Sequence, residues 1–132
     1  MFQTTISPRV NETNYTGHIC NTSIPIWLEK AREPIVRMVH PETAPGGKSF
    51  ILARTEIDFQ SQMFFGEDVE VKTYVVNLGR TSMTVEQEIW QQGKITATCK
   101  AVMVYFDYDN QTSIELTPQI KSAFEIHGRA LG

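Results

Sequence analysis

The sequence predicts an α+β fold, one long helix against an antiparallel sheet, and three observations carry that expectation. A single apolar stripe of helical period lies before residue 40. Segments with a period of two follow residue 50. The breaks between those segments are short, as antiparallel neighbours require. At 132 residues, 41% of them hydrophobic, the chain suits one domain over residues 1–132 with one core.

The elements follow in order. Residues 2–10 alternate in part and predict a minor strand. Ile24, Trp27, Leu28, Ala31, Ile35 and Met38 form one face of a helix over about residues 22–39. Asn21, Thr22 and Ser23 offer side-chain oxygens to cap its start, and Pro25 is tolerated in the first turn. Pro34 removes one ladder hydrogen bond and is expected to bend or divide the helix. HPETAPGGKS, residues 40–49, reads as a loop. Ile51, Ala53, Thr55, Ile57 and Phe59 then alternate with Leu52, Arg54, Glu56, Asp58 and Gln60, a half-buried strand. FGED at 65–68, GRTS at 79–82 and QQGK at 91–94 separate three further strands, 69–78, 83–90 and 95–106. Thr117 before Pro118 signals a short terminal helix. Val102, Val104 and Phe106 on one face and Ala101, Met103 and Tyr105 on the other leave no wet side, so a subunit partner is expected over part of the sheet.

Composition narrows the function. A net charge of −3 gives no general attraction to nucleic acid or an anionic membrane. No apolar run approaches the ~20 residues a spanning helix needs. Cys20 and Cys99 lack C-x-x-C spacing and no apolar leader precedes them, so free thiols in a reducing cytoplasm are expected. His18, His40 and His127 are too scattered for a metal set, and neither a phosphate-binding loop nor a dinucleotide fingerprint is present; no metal and no cofactor is expected.

NETNYTGHICN at 11–21, WLEKAR at 27–32, EIDFQSQMFFGEDVEV at 56–71 and GRTSMTVEQEI at 79–89 come in one order over about residues 5–125. Together they resemble the hotdog-fold thioesterases, specifically the 4-hydroxybenzoyl-CoA thioesterase group with its E-T-D-x-x-G-H-V-N-N and F-E-x-A-R patterns. The resemblance implies a long central helix wrapped by a curved antiparallel sheet of about five strands. It also implies a homodimer or homotetramer with ligand sites between subunits, and hydrolysis of an acyl-CoA thioester. The acid of E-T-D falls on Asn14, and the helix-head N–H that polarises the carbonyl falls on Asn21. The second role makes physical sense unaided, because a helix start presents unpaired N–H groups and partial positive charge to an oxyanion.

Asn14 departs from the pattern, since an amide neither accepts a proton nor forms an acyl anhydride. Three readings compete. Asn14 orients water or carbonyl while Glu12, Glu29, Asp58 or His18 takes the proton; or positioning and polarisation alone support slow hydrolysis; or the protein binds a thioester without cleaving it. The first is taken forward, with Asn14, Gly17, His18, Asn21 and Glu29 as the candidate catalytic set. Against it stand plainer roles: Asn14 as a turn residue, His18 as a structural histidine, Asn21 as a cap, Glu29 paired with Arg32. Gly17 lets the backbone turn. Cys20 lacks a recognisable triad. Arg80, Ser82 and Thr84 are the candidates for the CoA moiety, with Lys94 and Lys100 as further cations for its phosphates.

Overall fold

The computed structural model describes residues 1–40 and 46–129. Its elements are β1 (Phe2–Ile6), a short 3-10 turn (Val10–Glu12), α1 (Ser23–Val39), β2 (Lys48–Phe59), β3 (Val69–Leu78), β4 (Ser82–Gln91), β5 (Lys94–Asp107), β6 (Thr112–Ser113) and α2 (Pro118–Glu125). The order across the sheet is β1-β3-β4-β5-β2, with β6 also on β5, and every pairing is antiparallel. One long helix and a curved six-stranded antiparallel sheet make the hotdog arrangement.

The period of two becomes burial directly. On β3 and β4 the inward residues Val69, Val71, Thr73, Val75, Met83, Val85, Gln87 and Ile89 are buried, while their neighbours are half-exposed. Register shifts at Leu52/Arg54, Val75/Asn77 and Ile89/Trp90 add residues to one strand of a pair, and such bulges bend a sheet. Between β4 and β5, Gln92 and Gly93 both hold positive φ, 52° and 73°, as a two-residue hairpin of the primed type requires.

α1 lays Ile24, Trp27, Leu28, Ala31 and Ile35 against that inner face. It runs unbroken through Pro34, so of the two expected effects, a bend or a division, the division does not occur. An interior proline costs about 3 kcal/mol, but burying each large apolar side chain of the stripe returns about 1.5–3 kcal/mol. Three more expectations change. The first strand stops at Ile6, because residues 10–12 form a tight turn. The strand expected from residue 51 begins at Lys48, opposite Asp107. No side-chain oxygen caps α1: Thr22 already has helical angles (φ −68°, ψ −18°), and its hydroxyl contacts Cys20 Sγ at 3.2 Å instead. The loop read at 40–49 falls largely on residues 41–45, outside those described.

Candidate active site

The loop before α1 is a small hairpin. Thr13 bridges Ile19, Asn14 N–H donates to His18 O (2.8 Å), and Gly17 turns the chain at φ +80°. Ile19 N–H donates to Met63 O (2.8 Å) and His18 bridges Phe64, which pins the hairpin to the segment after β2. That segment is held in turn by the buried Gln91, whose amide bonds Phe64 N, Phe64 O and Glu67 O. Glu12 Oε2 accepts from Trp27 Nε1 (2.7 Å) and ties the hairpin to the helix.

This scaffold encloses a cleft of about 420 Å³ at the head of α1, lined among others by Asn14, Thr16, His18, Asn21, Phe59 and Ser61. Asn14 Oδ1 accepts from Thr16 N (3.0 Å) and His18 N (3.2 Å), and lies 2.7 Å from Thr16 Oγ1. Thr16 Oγ1 lies 2.7 Å from His18 Nδ1. Only one assignment puts a proton in both short contacts: Thr16 donates to Asn14 and His18 Nδ1–H donates to Thr16. In the neutral ring the lone pair is then on Nε2. The ring also packs on Phe64, centroids 5.0 Å apart. Asn14 Nδ2 has no partner among the described residues and is a spare donor at the cleft wall.

At the helix head the first N–H groups are partly committed. Ser23 N–H goes to Cys20 O (3.0 Å) and Ile24 N–H to Asn21 O (3.3 Å), while Pro25 has none. The N–H groups of Asn21 and Thr22 remain, without an oxygen acceptor among the described residues. The Cys20 thiol lies beside them and its pKa is lowered, first by the Thr22 hydroxyl and then by these N–H groups. Ser61 Oγ, in the cleft lining, is buried without a hydrogen-bond partner, although Ser61 N–H donates to Thr96 O (3.1 Å). Nothing in the pattern "QSQ" marks this serine; only the fold brings it into the same cleft lining as Asn14.

Asn14, Gly17, His18 and Asn21 thus meet on one short hairpin and helix head. The other candidates lie elsewhere. Glu12 is occupied on both oxygens, by Arg9 N–H (2.7 Å) and by Trp27. Glu29 lines a separate groove between α1 and β2. Its expected ion pair with Arg32 is absent, because Arg32 turns inward to donate to Gln87 Oε1 (2.9 Å). Asp58 lines a pocket on the outer sheet face with Glu86, Lys100 and Arg129. Arg80 pairs with Glu115 (3.0 Å), and Ser82 and Thr84 face away from α1 at the far end of β4; within one chain none of these three lines the cleft. Among the described residues, no group of acidic, histidine and cysteine side chains could hold a metal, and no helix is long and apolar enough to cross a membrane.

A long helix wrapped by a curved antiparallel sheet is the hotdog fold. The chain belongs to the thioesterase-like superfamily, whose sequence profile matches residues 8–124. Among solved structures, a predicted thioesterase from Bacillus stearothermophilus is 34% identical, with 99% of this chain and 98% of that one covered at a TM-score of 0.91. A thioesterase from Thermus thermophilus complexed with coenzyme A and zinc shares the fold at 23% identity, with 93% and 96% covered and a TM-score of 0.82. So does a gentisyl-coenzyme A thioesterase, at 15% identity, 92% and 98% covered, TM-score 0.80. No curated protein matches the chain.

Proposed function

We propose that the chain hydrolyses an acyl-CoA thioester to the free acid and CoA in the cleft at the head of α1, with His18 as proton acceptor. The observation that carries this reading is the Asn14–Thr16–His18 relay, which commits Nδ1–H of His18, among the described residues the one titratable side chain in the cleft lining, and so places the lone pair of the neutral ring on Nε2. In the proposed step His18 Nε2 takes a proton from water as the water oxygen bonds the thioester carbon. The Asn21 N–H, together with Asn14 Nδ2 of the same cleft lining, receives the oxyanion. The carbon–sulfur bond then breaks as the carbonyl reforms, and His18 returns the proton to the departing CoA sulfur. Asn14 is a positioning group in this scheme, and its amide fixes the tautomer of His18 through Thr16.

The CoA-complexed relative supports a CoA-type substrate here. The reading places the reaction in the cytoplasm and gives it no cofactor. Arg80, Ser82 and Thr84 reach that substrate only if a second copy brings them to the cleft, so the reading includes a homo-oligomer whose sites lie between subunits. Glu29 falls outside the proposed catalytic set unless a second copy carries it in.

Thiol release from short, long and aromatic acyl-CoAs tests the proposal. Turnover is expected in the wild type, is lost in His18→Gln, falls in Asn14→Ala and rises in Asn14→Asp, whose carboxylate accepts the same two backbone N–H groups. Tight acyl-CoA binding with no turnover on any substrate would replace hydrolysis by a thioester-binding role.

A further inference from the structure

The segment between β2 and β3 belongs to neither strand, yet the hairpin that carries Asn14 and His18 is pinned to it. Backbone that leaves a ladder must find other hydrogen-bond partners. At the start of the segment a single carbonyl, Thr96 O, accepts from both Gln60 N–H (2.9 Å) and Ser61 N–H (3.1 Å). Further on, the partner is a side chain. Gln91, the last residue of β4 and 5% exposed, accepts from Phe64 N–H through Oε1 (3.0 Å) and donates through Nε2 to Phe64 O (2.8 Å) and Glu67 O (3.0 Å). Both amide hydrogens and the amide oxygen are committed, so the carboxamide replaces the peptide groups of a neighbouring strand.

Phe64 is also tied to the hairpin. His18 bridges it, Ile19 N–H donates to the adjacent Met63 O, and the imidazole packs on the Phe64 ring at 5.0 Å and 58°. Thr16 restrains only one ring nitrogen of His18. One hydrogen bond holds a ring at a point, whereas the Phe64 contact holds its plane. Support therefore runs from Gln91 to Phe64, 27 residues apart in sequence, and from Phe64 to His18. A reacting group misplaced by about 1 Å can lose a hundredfold in rate, so the rigidity of this support matters to a proton acceptor.

Resting on the reading that His18 takes the proton, we propose that Gln91 is a positioning residue for that reaction, holding Phe64 so that its ring fixes the plane of the His18 imidazole. Gln91 itself does not line the cleft. Gln87, four residues earlier and buried on the same face of β4, spends its amide instead on Arg32, Leu28 and Thr73, which lie on α1 and β3. It supplies the comparison for lost stability alone.

Gln91→Met keeps the length and removes all three hydrogen bonds; Phe64→Leu removes the ring and leaves the backbone bonds of residue 64 in place. Phe64 is 47% exposed, so its replacement is expected to fold whatever Gln91→Met does. Each is expected to lower kcat roughly tenfold with KM within about twofold, and the double variant to be no slower than Gln91→Met, because both act through one contact. At a temperature where circular dichroism shows it folded, Gln87→Leu is expected to keep kcat within about twofold. Nitrogen NMR of the His18 ring at about pH 8.5, above the ordinary imidazole range, reads the positioning directly. The wild type is expected to show one tautomer, with Nδ1–H, and both variants a mixture, since a ring that can swing leaves Thr16 part of the time. The spectrum needs no substrate, so failure of the hydrolysis reading is separable from failure of the positioning. Wild-type kcat and a single tautomer in Phe64→Leu or in folded Gln91→Met, a double variant slowed by the product of the single effects, or an equal loss in Gln87→Leu overturns the proposal.

Discussion

At the scale of single residues, the two cysteines stand in opposite surroundings. Cys20 sits at a helix start beside the Thr22 hydroxyl and two backbone N–H groups, which lower its pKa. Cys99 is buried, and burial raises its pKa above the ordinary thiol value despite the Thr55 contact at 3.3 Å. Since the thiolate is the reactive form, iodoacetamide is expected to label Cys20 well before Cys99, and Thr22→Ala to slow that labelling; peptide mass mapping over time checks both. Ser61 has a hydroxyl without a partner. Ser61→Ala removes that unsatisfied group, so urea unfolding is expected to show about 1 kcal/mol of added stability. Turnover is expected to drop if the hydroxyl meets water or substrate, and that split separates a functional group from a packing one. The turn residues Asn14 and Gly17 were legible from "ETNYTG". The chemistry of Asn14 was not, because it depends on which amide atom the backbone N–H groups occupy.

At the scale of elements, α1 is joined to the sheet by a buried polar bridge as well as by its apolar stripe. Gln87, on β4, accepts from Arg32 and donates to Leu28 O (3.0 Å) and Thr73 Oγ1 (3.1 Å). Gln87→Leu keeps the volume but strands a guanidinium and a carbonyl, with an expected loss of about 3 kcal/mol in urea unfolding. The C-terminal segment is tied down differently. His127 stacks on Phe2, centroids 3.8 Å apart, and its carbonyl accepts from Val75 N–H (3.0 Å). Burial first, and then the N-terminal ammonium, lower the His127 pKa from its ordinary 6.5. The folded chain therefore resists a proton that the unfolded chain accepts: stability is complete above about pH 6.5 and declines as pH falls below it. Melting curves at about pH 7.5 and about pH 5.5 check this, with His127→Phe expected to lose less stability over that span than the wild type. The helix and long strands could be read from period alone. The two-residue β6 was not, because so short a strand exists only through its pairing with Phe106 and Asp107.

At the scale of the whole molecule, one chain leaves its α1–β2 face uncovered and its cleft beside that face. If a second copy completes the site, specific activity per chain is expected to fall on dilution through the dissociation range; initial rates over a concentration series check it. The apolar residues on both faces of the last long strand were the sequence's sign of such a partner, though not of where it binds. By itself the sequence determined the α+β class, the long helix, the four long strands and the polar turn at Asn14 and Gly17 ahead of that helix. These follow from side-chain period and turn residues, which act between neighbours along the chain. Only the tertiary structure decided that Arg32 abandons Glu29 for Gln87, that Ser61 enters the cleft, that Glu12 is spent on Trp27 and that β2 becomes the free edge. Each of those depends on contacts between residues far apart in sequence, whose geometry no local pattern encodes.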